Sequence, residues 1–378
     1  MQFDFRLKKY LNKKAEKDWK LVIKPPQKIY DSFIVVPAKA ESKNIPNLLE
    51  SISNQNKEYL KRCLTIIVVN NSTDDSKDII NNNNKTIKYL SDNVFDFDLS
   101  YIDATLPLKN AGVGLSRKIG ADLALNYCNE FSVICYTDAD VILSKYYLET
   151  IIDYYEKHNC GCAIVGFKHQ KNDEPKIDKN IQEYERFLFK TAKDIKDSGS
   201  PYGYVSLGSC MTCTSSAYIA VGGMNRMKAT EDFYFLQELT KHFESMNVIE
   251  KNLVYPSSRI SSRVYLGTGY RMKQSSEGFS INQLYFSENS FKKLEEFLLI
   301  IKTSYTKNLE QLLIETKKIN RLNDFLNQID INKVWGSLIE NVDENKFISQ
   351  FHRWFDGLKT IKFLKYYSGK YDKKNKIY

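Results

Sequence analysis

The residues whose type and spacing best suit chemistry are Thr137-Asp138-Ala139-Asp140, which follow directly on the apolar run Ser132–Tyr136. In extended backbone, residues two apart point to the same side, so Asp138 and Asp140 can turn both carboxylates toward one ligand at a strand's end. Two hard oxygen donors in that position suit Mg2+ or Mn2+ holding a diphosphate. The plainer use of the same residues is to cap a helix or decorate a turn. A second acidic pair, Glu231-Asp232, follows Thr230 and precedes the apolar positions Leu236, Leu239 and Phe243. Asp232 shares their helical face at offsets of four, seven and eleven. It should therefore look inward from a helix's first turn, where a carboxylate suits a general base. The competing reading is an N-cap by Thr230, with acidic residues favoured by the helix dipole.

Both pairs need elements to hold them. The apolar run Phe33–Val36, a helical stretch over 46–56 and the β-branched run Thr65–Val69 set a β-α-β rhythm. An Asn-rich loop at 81–84, an extended segment near Leu99–Ile102 and a helix over Ser116–Cys128 come next. The strand Ser132–Tyr136, a helix from about 144 to 157 and a strand at Cys162–Phe167 continue the alternation. This predicts an α/β fold with a mostly parallel, Rossmann-like central sheet flanked by helices, whose strand C-terminal ends form the ligand crevice. From Phe291 onward the chain turns rich in Leu, Ile, Lys and Glu, which predicts a C-terminal helical extension. Residues 1–30 read as a basic, peripheral N-terminal arm, 31–285 as the sheet domain and 286–378 as the helical region.

Composition narrows the class. Among 378 residues, 55 basic side chains against 46 acidic ones give a formal charge of +9, and 42% hydrophobic with 27% charged residues excludes wholesale disorder. No apolar run approaches the length of a membrane-spanning helix, and the first thirty residues lack the apolar core of a cleavable signal. A cytoplasmic protein is expected. The Lys- and Tyr-rich stretch 359–378 would allow peripheral contact with an anionic inner membrane face, although a solvated, frayed end is the plainer reading. The basic residues are spread along the chain, against a nucleic-acid partner. Seven cysteines, several inside apolar runs, read as reduced thiols. Cys160-x-Cys162 has strand alternation and Cys210-x-x-Cys213 lacks knuckle glycines, which speaks against a zinc site.

The ordered set Ile34–Glu41 (IVVPAKAE), Ile67–Asp74 (IVVNNSTD), Asn110–Gly114 (NAGVG) with Arg117 and Gly120, Thr137–Asp140, Val221–Asn225 (VGGMN) and Thr230–Asp232 resembles family 2 glycosyltransferases of the GT-A fold over about residues 31–270. By that resemblance Pro37, Glu41, Asn70 and Asn71 would line the nucleoside pocket, and Arg117 would lie beside the nucleotide. Asp138 would face the ribose or the metal, and Asp140 would ligate the Mn2+ or Mg2+ that bridges the diphosphate. Asp232 would deprotonate the acceptor hydroxyl, and the reaction would invert the anomeric configuration. Arg259, Arg263 and Arg271 are candidates to clamp the diphosphate, Arg263 first among them.

Asn70-Asn71 stand where the family commonly has paired aspartates, and an amide can donate as well as accept. None of the four histidines falls in the stretch directly after Tyr255, where many members place a metal contact. The expected activity is transfer of one sugar from a nucleotide-sugar, a UDP-sugar first, to a glycan or glycolipid acceptor in surface-glycan synthesis. A dehydrogenase is disfavoured because Arg117 occupies the third glycine position of the dinucleotide fingerprint. The remaining alternatives are a sugar nucleotidyltransferase, whose glycine-rich first loop is replaced here by Pro37–Glu41, and a catalytically silent binding module.

Overall fold

Runs of β-branched and apolar residues build an eight-stranded sheet in a computed structural model that describes residues 2–260 and 267–370. The strands are β1 (Ser32–Ala38), β2 (Cys63–Ser72), β3 (Leu99–Leu106), β4 (Val133–Tyr136), β5 (Ile142–Leu143), β6 (Cys162–Phe167), β7 (Met211–Thr214) and β8 (Asn247–Tyr255). Their spatial order is β3-β2-β1-β4-β7-β6-β8-β5. β3, β2, β1 and β4 are parallel neighbours, as are β6 and β8, whereas β7 runs against β4 and β6 and β5 runs against β8. The α/β class and the mostly parallel sheet read from the sequence are what the chain adopts. Phe33, Ile34, Val35, Val36, Ile66, Ile67, Val68 and Val69 are fully buried, as expected for parallel strands covered on both faces.

Two segments depart from the sequence reading. The Asn-rich stretch lies inside a helix, Lys77–Asp92, instead of a loop. Asparagine disfavours helix interiors because its amide competes for backbone partners. Here the amides find partners elsewhere: Asn83 Oδ1 accepts from the Ala40 amide at 2.8 Å, Asn82 Oδ1 from the Ser42 amide at 2.9 Å, and Asn83 Nδ2 donates to the Asn70 carbonyl at 2.9 Å.

The N-terminal segment, read as peripheral, carries a helix at Gln2–Lys13 whose Tyr10 is buried. The Tyr10 and Tyr218 hydroxyls each donate to Asp122 Oδ1 at 2.8 Å, and the Glu16 amide donates to Asp122 Oδ2 at 2.8 Å. Lys118 Nζ donates to the Tyr10 hydroxyl at 2.8 Å and pairs with Asp122 at 2.9 Å. This closed network fixes the helix Val113–Ala124, which carries Lys118 and Asp122, against the N-terminal helix.

The chain divides into two compact units, 1–182 with 206–278 and 183–205 with 279–378. The first holds the whole sheet. The second contains the expected C-terminal helices, from Glu288–Lys302 to Gly357–Tyr367. They pack on a core of Phe297, Phe325, Trp335, Phe351, Phe355 and Phe363. Side chains of Ser287, Asn308, Asp343 and Asp356 cap helix starts in this unit. No helix among the described residues is long and apolar enough to cross a membrane.

Asp122→Ala strands the buried Lys118 charge, so the expected loss of unfolding free energy is about 3–5 kcal/mol. Urea denaturation measures it. A loss below about 1 kcal/mol would mean that the network is not holding the N-terminal helix in place.

Candidate active site

β4 ends at Tyr136, whose buried ring packs on Phe235. The Thr137 amide still donates to the Val35 carbonyl at 3.2 Å, which carries the chain one residue further along β1 before it turns. Asp138 emerges there, half-exposed at the C-terminal ends of the parallel strands.

Arg117 reaches the same place from the helix Val113–Ala124. Its guanidinium is buried, with Nη2 donating to Asp138 Oδ1 at 2.6 Å and Nη1 donating to the Glu231 carboxylate. Gly208 makes this possible by close approach, because a Cβ there would lie 2.4 Å from Nη2. Burial alone would disfavour the charge on Arg117, but Asp138, Glu231 and Asp232 together more than offset it and raise its pKa.

Glu231 and Asp232 open the helix Glu231–Phe243, as the sequence predicted. The loop before it is held by Asn225 Nδ2, which donates to the Glu231 carbonyl at 2.9 Å, and by the Gly114 amide, which donates to the Met227 carbonyl at 3.2 Å. A Cβ on Gly114 would lie 2.5 Å from that carbonyl oxygen. The NAGVG and VGGMN motifs, separate in sequence, thus bring residues together. Burial pushes the Glu231 carboxyl well above the usual carboxylate range, against the pull of Arg117. Asp232 is raised in the same way, chiefly by burial, again with Arg117 opposing.

A second cation stands beside Asp140. Arg259 Nε pairs with Asp140 Oδ2 at 2.9 Å, while Nη1 donates to Glu41 Oε2 at 3.0 Å and Nη2 to the other Glu41 oxygen. Glu41 therefore engages an arginine, a contact not expected from its place in the first motif. Gln170 Nε2 donates to the Asp140 carbonyl at 3.0 Å and to the Tyr255 carbonyl at 2.8 Å, and Asn172 Nδ2 donates to Ser258 Oγ at 3.0 Å. These amides tie the segment carrying Arg259 to the Asp140 turn. Burial lifts the Asp140 carboxyl to about 6; Arg259 opposes the rise and Asp138 and Glu41 add to it.

Of the other expected residues, Pro37 is half-buried on β1 and Asn70 is buried near the end of β2 with its Oδ1 lacking a partner. Asn71 Nδ2 donates to the Ser72 carbonyl at 3.3 Å. Asn83 links this end of β2 to the Ala40 backbone. Arg263 lies outside the described residues, and Arg271 donates to Gln274 Oε1 at 2.6 Å within its own helix. Sequence reasoning did not find the Arg117–Glu231 and Arg259–Glu41 pairings or the bracing by Asn83, Gln170 and Gly208, because none follows a local pattern.

The donor set fits a divalent cation. Asp138 meets Arg117 through Oδ1 and Asp140 meets Arg259 through Oδ2; carboxylate oxygens suit a hard ion, which at Asp140 would compete with Arg259. Among the described residues no group of three or more His, Cys, Asp or Glu is gathered as a metal site, so a bound diphosphate would have to complete the coordination.

Residues 33–211 match glycosyl transferase family 2. Similar solved structures include S. aureus TarS 1-349 in complex with UDP-GlcNAc, at 14% identity and TM-score 0.45, covering 90% of this chain and 93% of that one. A longer S. aureus TarS structure shares 15% identity at TM-score 0.41, covering 84% of this chain and 50% of that one. The mannosyltransferase PcManGT from Pyrobaculum calidifontis in complex with GDP-Man and Mn2+ shares 12% identity at TM-score 0.40, covering 93% of each chain. No curated protein matches the chain.

The raised Asp140 carboxyl has a signed consequence. Between the ordinary value of 3.8 and about 6 the folded protein holds a proton that the unfolded chain releases, so this group makes stability fall as pH rises through that window. Asp140→Asn removes the fall. With chelator present, the variant's stability relative to the parent should climb across the window and level off above it, as read by urea denaturation at a series of pH values. A pH-independent difference would contradict the assignment.

Proposed function

We propose, with residues 33–211 taken as a domain of glycosyl transferase family 2, that the protein moves one sugar from a nucleoside-diphosphate sugar to an acceptor hydroxyl. The observation that carries this reading is the convergence of two acidic groups through Arg117: Asp138 on the strand-end turn and Glu231-Asp232 at a helix head. One side suits a diphosphate and its cation, and the other suits the proton of a nucleophile.

Asp138 and Asp140 would hold Mn2+ or Mg2+, which when bound supplies positive charge where the departing diphosphate gains negative charge. Asp232 takes the proton from the acceptor hydroxyl as its oxygen attacks the anomeric carbon. The bond from that carbon to the diphosphate oxygen breaks on the opposite side, and this single displacement inverts the configuration. Burial raises the Asp232 pKa from the ordinary carboxylate value, which makes the carboxylate a stronger base. Glu231, buried against Arg117, fixes the helix head and is shielded from the acceptor. Pro37, Asn70 and Asn71 receive the nucleoside. A UDP-sugar is the first donor to test. Arg263 remains a candidate diphosphate contact, and the acceptor is taken to be a glycan or glycolipid of surface-glycan synthesis.

Thermal unfolding against a panel of nucleotide-sugars, with and without Mn2+, tests the donor side without a known acceptor. One donor should stabilise the protein only with metal, by about 2.7 kcal/mol at a hundredfold excess over Kd. Asp140→Ala should abolish the stabilisation. Asp232→Asn should keep it while turnover drops by about 10²–10⁴-fold. Stabilisation by no donor would instead support a silent binding scaffold.

A further inference from the structure

Arg259 is placed unlike the other cation of the site. Arg117 is buried and gripped by Asp138 and Glu231, whereas the Arg259 side chain is 36% exposed and lies across Glu41 and Asp140. It uses Nε on the one and both Nη atoms on the other, so its whole fork is engaged by protein carboxylates. Glu41 is only 5% exposed. Its charge stands beside those of Asp140 and Asp138, and Arg259 offsets the repulsion among them. Asp140 cannot serve a guanidinium and a divalent ion equally well, because the two charges would repel at contact distance. A diphosphate arriving beside Asp140 would in turn offer Arg259 the bidentate oxygens that its fork fits best.

We propose that Arg259 is the exchangeable cation of the donor site: it neutralises Glu41 and Asp140 until a divalent ion takes over Asp140, and then keeps Glu41 through an Nη while the Nε edge freed from Asp140 turns to the donor's diphosphate. The inference rests on the transferase reading and adds a residue and an order of events to it. The segment bearing Arg259 is anchored through Asn172 on Ser258 and through the Arg259 amide on Ser257 Oγ at 3.2 Å. The exchange therefore needs only the side chain to move.

The exchange makes two predictions of opposite sign for one substitution. In Arg259→Gln, titration with Mn2+ alone, followed by calorimetry or by the spin-resonance signal of free Mn2+, should show binding roughly tenfold tighter, because a competing positive charge has left Asp140. In saturating Mn2+, UDP and GDP should both bind roughly tenfold or more weakly, because a charge-assisted fork to the diphosphate is lost. Arg259→Lys retains the charge, so Mn2+ affinity should stay within about twofold of the parent while nucleoside-diphosphate affinity still falls. This second variant decides the matter if the glutamine variant does not fold.

Both affinities rising together in Arg259→Gln would make Arg259 a plain competitor. Both falling together, or neither moving, would make it a structural brace. Any of these results overturns the proposal while leaving the transferase reading intact. A parent protein that binds neither Mn2+ nor either nucleotide would sink the transferase reading itself, and the proposal with it.

Discussion

A guanidinium that stays charged while buried must be met by carboxylates, and at Arg117 these come from two different elements. Asp138 belongs to the turn after β4 and Glu231 to the first turn of a helix more than ninety residues later. Meeting both fixes the end of the central strand against the head of that helix. Gly208 leaves the space in which the guanidinium lies; Gly114 of NAGVG donates to Met227, two residues beyond VGGMN, and Asn225 of VGGMN donates to the Glu231 carbonyl at the helix head. Asp140 and Asp232, for which roles are proposed, stand two positions and one position from a carboxylate that Arg117 holds.

The same unit uses its cations differently according to depth. Lys118, one residue after Arg117 in the same helix, is closed off by Asp122 and Tyr10 and ties the sheet unit to its N-terminal helix. Arg117 is also closed off, but by groups at the edge of the candidate site. Arg259 is half-buried, and its partners include a proposed metal ligand. Lys118, Arg117 and Arg259 thus run from fully enclosed to half-buried, and an exchange of partners is proposed for the last alone. Catalysis by electrostatic preorganisation needs the first two to stay still while the site's ligands come and go.

Much of this was legible in the sequence where one local rule decided the outcome. The parallel strands announced themselves by continuous β-branched runs, because burial on both faces leaves no room for polar residues. Asp138 and Asp140 were singled out by the apolar run before them and by strand spacing, but the strand ends at Tyr136 and the two flank a turn closed by the Val141 amide on the Asp138 carbonyl; Asp232 was singled out by its offset from three apolar helical positions. Where two rules competed, the reading failed. The Asn-rich stretch looked like a loop on propensity, yet Asn82 and Asn83 serve as acceptors for the chain after β1, a tertiary use that outweighs propensity. The N-terminal segment looked peripheral because lysines dominate it; the hydroxyls of buried Tyr10 and Tyr30, which donate to Asp122 and Asp98, attach it. Arg259 and Glu41 are 218 positions apart, and no periodicity connects them. Short β7, which runs against its neighbours, has too few residues to show a pattern.

The central claim is that Arg117 and Glu231 act as one buried unit on which the site's shape depends, and a double-mutant cycle on stability tests it most directly. Arg117→Met, Glu231→Gln and the double variant would be compared with the parent by urea denaturation. Arg117→Met should cost about 3–5 kcal/mol, since it leaves buried carboxylates without their cation. The double variant should cost less than the sum of the single ones, with a coupling energy of roughly 2–3 kcal/mol. Single costs that add to within about 0.5 kcal/mol would show that the two residues are not acting together, and would contradict the account.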